Sequence, residues 1–335
     1  MSKKIIYWVQ GYRPYDEAIS KEIKCLHKHF SSLIINPING FKFTKSLICF
    51  NFKFFPLGLF LFPFFEKKAK ISHIYTSLGN YFYLKLLKRK PIVLTAAGPS
   101  PINKIRKCLP LYKKLNAIVV ETEKEKNLLL QLGVKKDKIK LIYPGIDLTK
   151  FKYNKKKGKF TILFASAPLN KEQFHTKGVP LIIKAAKKLE NIDFILLWRG
   201  KYLKEIKQLT KDCKNIKVIN KRIKDMNKIY SQIDATILPL QSTLNSKSCP
   251  QSILESLACG KPVLVSNRCG IANLINKNKC GVVFKINNMK IVESIKKLKN
   301  DYKAYQQNCP KTAKKYFDKN NFLKKYAKLY EIIKT

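Results

Sequence analysis

The feature that most constrains this chain is an alternation that runs through it twice, in which short apolar runs rich in β-branched residues are followed by stretches with apolar positions at helical spacing. In the first half the strand-like runs are KIIYWV, SSLIINP, HIYTS, PIVLTAAG, AIVVETE and KIKLIYPGID. Helical patterns fall between them over about 16–30 (Ile19, Ile23, Leu26, Phe30), 81–87 and 123–132, the last stopped by Gly133. The charged stretch 151–159, FKYNKKKGK, reads as a linker. The series then resumes with FTILFAS, helix 179–189, DFILLWRG, helix 202–211, IKVIN, helix 225–231, DATILPL, helix 251–258, KPVLVSN and GVVFKI. From about 310 to 333 one or two amphipathic helices follow with no further strand.

Strands that alternate with helices build a parallel sheet covered on both faces, because each crossover must traverse a face of the sheet. A chain of 335 residues also exceeds what one hydrophobic core usually supports. The expected fold is therefore α/β, with two Rossmann-like doubly wound parallel-sheet domains facing a cleft. Residues 1–150 form the first, 158–310 the second, and the helices of 311–335 pack back on the first. Ligands of such sheets lie beyond the carboxyl ends of the strands, so functional residues are sought in the loops that follow them.

Composition narrows the classes. The opening residues, MSKKIIYWVQGYRP, read as a first strand and not as a signal peptide. The most apolar stretch, FFPLGLFLFPFF over 54–65, is too short to span a bilayer and is broken by Pro56 and Pro63. It reads either as a buried connection or as an aromatic loop dipping into a membrane interface beside Lys53, Lys67, Lys68 and Lys70. Nine cysteines without a C-x-x-C pair point to reduced thiols in a cytoplasmic protein and away from a zinc site. The net charge of +47 rests on 62 lysines and only six arginines, and it is spread as +19 over 1–150 and +28 over the rest. Specific nucleic-acid readers favour arginine, so the charge reads as solvated lysine faces that attract anionic partners at low salt.

Three loops carry candidate chemistry. After KIIYWV, Gly11 lets the backbone approach a ligand, or simply makes a tight turn. After FTILFAS, Lys177 and Gly178 precede a helix with Pro180 in its first turn, where ammonium charge and helix dipole act together on an anion; Lys171 lies in the same loop. In SKSCPQSILESLACGKPVLVSN a helix begins near Ser248 or Cys249, and the N–H groups of Gln251 and Ser252 can cradle phosphate oxygens. Glu255, one turn further on, can accept hydrogen bonds from a vicinal diol such as a ribose, or stand as an ordinary exposed helical glutamate.

The strings YSQIDATILPLQS and SILESLACGKPVLVSNRCGIANLI, with LIYPGIDLTKF ahead of the linker and Lys177-Gly178 opening a helix, resemble the family 4 retaining glycosyltransferases of the GT-B fold. The likeness runs over most of 117–285, whereas the first 115 residues share only the alternation pattern. It implies a nucleotide-diphosphate-sugar donor held by the second domain: Glu255 on the ribose, the backbone around Gln251 and Ser252 on the diphosphate with Ser248 beside it, and Lys177 on the departing charge. It further implies a retaining hexosyl transfer to a glycan or lipid-linked acceptor, with no metal or other cofactor. The chain departs from the pattern in three places. Lys247 stands where the first motif acid belongs, eight residues before Glu255. The usual arginine falls near Ala167, so that Lys171 or Arg199 takes its place, and Ala96 and Ala97 stand where a histidine is usual. These departures leave an alternative, a catalytically silent binding module for anionic membrane or glycan surfaces. For the enzyme the expected location is cytoplasmic, with peripheral attachment to the inner face of the membrane.

Overall fold

The computed structural model describes residues 5–9, 18–36, 42–43, 47–49, 55–89, 91–168, 170–244 and 246–333. It divides into two compact units, 1–145 with 320–335, and 146–319. The first unit carries β1 (Ile5–Val9), α1 (Ala18–His29), β2 (Ser32–Asn36), β3 (Lys42–Phe43), β4 (Leu47–Cys49), α2 (Phe55–Lys68), β5 (Ile71–Thr76), α3 (Tyr81–Leu86), β6 (Ile92–Ala96), α4 (Ile102–Tyr112), β7 (Ala117–Val120), α5 (Glu123–Gln131) and β8 (Ile139–Leu141). Its sheet has the order β3-β4-β2-β1-β5-β6-β7-β8, parallel except for the β3/β4 pair.

Every residue of β1, β2, β5, β6 and β7 is buried, as continuous apolar runs require when both sheet faces are covered. The pleat sorts them: Ile6 and Trp8 join one core with Leu33, Ile74 and Leu94, while Ile5, Tyr7 and Val9 join the other with Ile34, Tyr75 and Val93.

The second unit carries β9 (Thr161–Phe164), α6 (Lys171–Thr176), α7 (Val179–Lys188), β10 (Asp193–Trp198), α8 (Leu203–Leu209), β11 (Ile216–Asn220), α9 (Asn227–Tyr230), β12 (Ala235–Leu238), α10 (Gln251–Ala258), β13 (Val263–Ser266), α11 (Ala272–Lys277), β14 (Gly281–Phe284), α12 (Asn288–Asn300), α13 (Tyr302–Gln306) and α14 (Asn308–Phe317). Its six strands are all parallel in the order β11-β10-β9-β12-β13-β14, so the winding reverses between β9 and β12. The last helix, α15 (Lys319–Ile332), returns to the first unit, where Phe322, Tyr326, Leu329 and Tyr330 complete the core containing Tyr7.

Four readings change. The apolar stretch 54–65 is neither a plain connection nor a loop, because α2 runs from Phe55 to Lys68. Pro56 falls in its first turn, where no N–H is needed, and the helix continues through Pro63. Phe62 is buried and stacks on Trp8 with ring centroids 4.2 Å apart, while Phe64 is 52% exposed. The loop after β9 contains α6, capped by Asn170, whose side chain accepts from the N–H of Gln173 at 2.8 Å. The segment read as a linker lies inside the second unit and is fastened to it. The fully buried Lys261 donates to the Asn154 carbonyl at 2.7 Å, and Lys156 pairs with Asp234 at 3.4 Å. The unit boundary instead falls at 145/146, where Ile146 pairs with Asp318 in an isolated parallel bridge.

Candidate functional site

The winding of the second sheet reverses between β9 and β12, and a doubly wound sheet binds ligands at such a point. The loops after these strands are locked together there. Gly178 takes φ +76°, and a Cβ on it would stand 2.2 Å from the Pro239 carbonyl oxygen, so glycine is required twice over. Gln241 adds two bonds to the end of α6, its N–H to the Thr176 carbonyl and its side-chain amide to that of His175, both at 2.7 Å.

This lock fixes Lys177, which with Gly178 joins α6 to α7. Its side chain is buried, and Nζ donates to the Ala167 carbonyl at 3.0 Å. Burial, aided by the nearby Arg199 guanidinium, lowers its pKa to about 8. Arg199 is itself exposed and follows β10, the strand beside β9. Two cations thus follow the adjacent strands β9 and β10 within electrostatic reach of each other, and neither takes part in an ion pair among the described residues. Such a pair is an arrangement ready for a polyanion.

The second group lies on α10, which begins at Gln251 after Pro250, so the helix start read near Ser248 or Cys249 falls two to three residues early. No N-cap side chain accepts from its first N–H groups. Gln251 and Ser252 are half-buried there. Glu255 is buried and not an exposed helical glutamate: it is 4% exposed, with Oε1 accepting from the Gln251 amide at 3.1 Å. The Tyr230 hydroxyl, at the end of α9, stands 3.2 Å from Oε2 and 3.0 Å from the Ser252 carbonyl. It has one proton to give to either, and burial first, then the Glu255 carboxylate, raises its pKa.

The structure brings together Gln251, Ser252 and Glu255 with Tyr230, and sets Arg199 within electrostatic reach of Lys177. Lys171 is exposed in the first turn of α6. Ser248 is half-buried, with its carbonyl so close to Gly270 that a Cβ there would approach to 2.3 Å. Lys247 is half-buried beside it, and Gly11 lies outside the described residues. Ala96 and Ala97 are buried at the end of β6; the buried histidine on the neighbouring β5, His73, is enclosed by Tyr330 and Thr95. Among the described residues no three His, Cys, Asp or Glu side chains stand together as a metal site.

Sequence reasoning missed Tyr230, although it lies in a string already noticed. Its sequence signal, a tyrosine closing a short helix four residues before Asp234, does not say that the hydroxyl turns toward α10.

The family model for group 1 glycosyl transferases matches residues 145–316. The chain belongs to this family. No curated protein matches it in sequence. Among solved structures it is similar to Anabaena HepE in complex with UDP and glucose, at 16% identity and a TM-score of 0.76, covering 98% of this chain and 99% of that one. It is similar also to a glycosyltransferase from Rickettsia africae, at 17% identity and a TM-score of 0.76 over 99% of both chains. A third likeness is to the sucrose-phosphate synthase of Thermosynechococcus elongatus, at 11% identity and a TM-score of 0.79 over 98% of both. These likenesses establish the GT-B fold.

Proposed function

We propose that the protein transfers a hexose from a nucleoside-diphosphate sugar to a glycan or lipid-linked acceptor, with retention at the anomeric carbon. The observation that carries this reading is Glu255, a buried carboxylate one turn inside α10, held on one oxygen by Gln251 and approached on the other by Tyr230. A ribose diol offers two hydroxyl donors of the kind that a buried carboxylate accepts.

In this reading the diphosphate lies between the start of α10 and the Lys177–Arg199 pair, meeting N–H groups near Gln251 and Ser252 on one side and cations on the other. Ser248 and Lys171 are assigned contacts at the rim. As the bond from the anomeric carbon to the diphosphate oxygen breaks, charge grows on that oxygen, and Lys177 stabilises it through electrostatics already in place. On the retaining route the acceptor hydroxyl attacks the face that the diphosphate leaves, and its proton passes to the departing phosphate oxygen. Basic side chains and the helix terminus are assigned the neutralising role a metal plays elsewhere, so no cofactor is proposed. Support for UDP-glucose as a donor type is that HepE binds UDP, glucose and UDP-glucose in a structure of the same fold. The first unit is assigned the acceptor, in a protein that works in the cytoplasm at the inner membrane surface.

The test is a binding panel of nucleoside-diphosphate sugars on the wild type and on Glu255→Gln. A donor that binds and turns over in the wild type and is lost in the variant supports the reading. Binding of acidic vesicles without nucleotide release from any donor would replace it with the silent module, for which Lys247 in the first acid's place is the motive.

A further inference from the structure

Trp198, the last residue of β10, is wholly buried and works at both ends. Its Nε1 donates to the Lys201 carbonyl at 2.7 Å, closing the turn that carries Arg199. That turn is held elsewhere too: the Gly200 N–H donates to Asn220 Oδ1 at 3.0 Å and the Lys201 N–H to the Arg199 carbonyl at 3.1 Å. It also contains two left-handed residues, Gly200 at φ +78° and Tyr202 at φ +59°. A left-handed tyrosine is unfavourable by itself and persists only where surrounding contacts impose it. The other end of Trp198 is its ring, which stands edge-on to Phe174 with centroids 5.7 Å apart and planes at 64°. Phe174 is the one buried residue of α6, the helix that ends at Lys177.

One side chain therefore touches both supports of the two cations. The indole N–H sets the turn under Arg199, and the ring seats the helix that delivers Lys177. We propose that Trp198 is a positioning residue of the donor site, setting the spacing of Arg199 and Lys177 so that both reach a single diphosphate. The inference rests on reading this place as the donor site and adds to it a residue that touches no substrate. A simple core tryptophan would explain its burial. It would not explain why its one polar atom is spent on the turn beneath Arg199 while its ring meets the sole apolar anchor of α6.

Two variants separate the ends: Trp198→Phe keeps an aromatic ring and removes the N–H, and Phe174→Leu keeps apolar burial and removes the ring edge. The first readout needs no ligand: competitive acetylation over a pH series, followed by peptide mass mapping, reports the protonation midpoint of Lys177. Arg199 is the charged group that the structure sets against this lysine, so loosening its turn should move the midpoint upward in Trp198→Phe while the unfolding temperature changes little. The second readout is calorimetric titration with pyrophosphate and with UDP, ADP and GDP. Affinity should fall about two- to ten-fold in either variant, the range for one lost hydrogen bond or ring contact. An unmoved Lys177 midpoint with unchanged affinity in folded variants overturns the positioning role, even if the wild type binds these ligands well. Failure of the wild type to bind pyrophosphate and all three nucleotides overturns the donor-site reading, and the role with it. Should Trp198→Phe not fold, Phe174→Leu alone decides, on the same two readouts.

Discussion

Gln251 and Glu255 sit one turn apart on α10, and the Gln251 amide donates to Glu255 Oε1 at 3.1 Å. The residue at the mouth of the helix thereby orients the carboxylate behind it, since an i,i+4 spacing puts both on one helix face.

The first prediction follows from that pair. Glu255→Gln keeps the volume and an acceptor for Gln251 but removes the charge, so donor affinity should fall by about 1.5–3 kcal/mol, the range for a hydrogen bond to a charged group. Titration calorimetry with the best donor measures it. Tyr230→Phe should cost less, about 0.5–1.5 kcal/mol, because the carboxylate keeps its other partner. Equal losses in the two variants would mean that Tyr230 does more than hold the carboxylate.

Lys177 gives the second. Its pKa of about 8 means that the cation is present at neutral pH and disappears as pH rises through that value. The value of kcat/KM, which reports the free enzyme, should decline above about pH 8, and Lys177→Arg should remove this alkaline limb. Lys177→Met should lower kcat by about 10²–10³, the loss seen when one donor to a developing charge is deleted. A profile that stays flat to pH 9.5 in the wild type would take Lys177 out of that role.

These residues were legible to different degrees, for physical reasons. The strands could be read because burial on both faces forces unbroken apolar runs, as in Ala235–Leu238 and Val263–Ser266. Helix α10 ends at Ala258 as read, since its four apolar residues repeat at helical spacing before Gly260, and it starts at the later of the two starts read for it, Gln251 and not Ser248 or Cys249. Helix α6 stayed hidden because six residues with one apolar anchor, Phe174, show no periodicity. Helix α2 was obscured by its prolines, one of them harmless in a first turn. That Arg199 acts on Lys177, and that Tyr230 lies beside Glu255, depends on loops from different strands, which local pattern does not encode. The boundary at 145/146 was missed because the lysine-rich stretch after it looks like a flexible tether, although Lys261 and Asp234 bind it down.

The third prediction concerns α2. No helix among the described residues is long and apolar enough to cross a membrane. Phe64 is 52% exposed, however, with Lys68 Nζ 3.9 Å from its ring centroid and Lys67 in the same last turn. An exposed aromatic ring beside lysines suits an anionic interface. Co-sedimentation with phosphatidylglycerol vesicles should be strong at low ionic strength and weaken near about 0.5 M salt, as screening shortens the reach of the lysines. Phe64→Ser combined with Lys67→Glu should reduce it at every salt concentration. Equal sedimentation of wild type and double variant would place any membrane contact elsewhere.

The fourth prediction tests the seat of α15 on the first unit. His73, wholly buried on β5, bonds Tyr330 Oη through Nδ1 at 2.6 Å and Thr95 Oγ1 through Nε2 at 2.7 Å, while Thr95 Oγ1 lies 2.9 Å from Tyr326 Oη. Burial lowers the His73 pKa from 6.5 to about 3, so the folded unit holds the ring neutral while the unfolded chain protonates it near 6.5. The sign follows from proton uptake by the unfolded state. The stabilisation is complete above 6.5 and is lost progressively as pH falls from there toward about 3, at up to about 1.4 kcal/mol per pH unit. Hydrogen exchange of β5 and α15 amides, corrected for intrinsic rates, should show opening free energies that drop between pH 6.5 and 4.5. His73→Gln retains a donor and an acceptor but does not titrate, so it should start less stable and lose less over the same interval. A parallel decline in the variant would assign the acid sensitivity to other groups and leave His73 a purely structural link between β5 and α15.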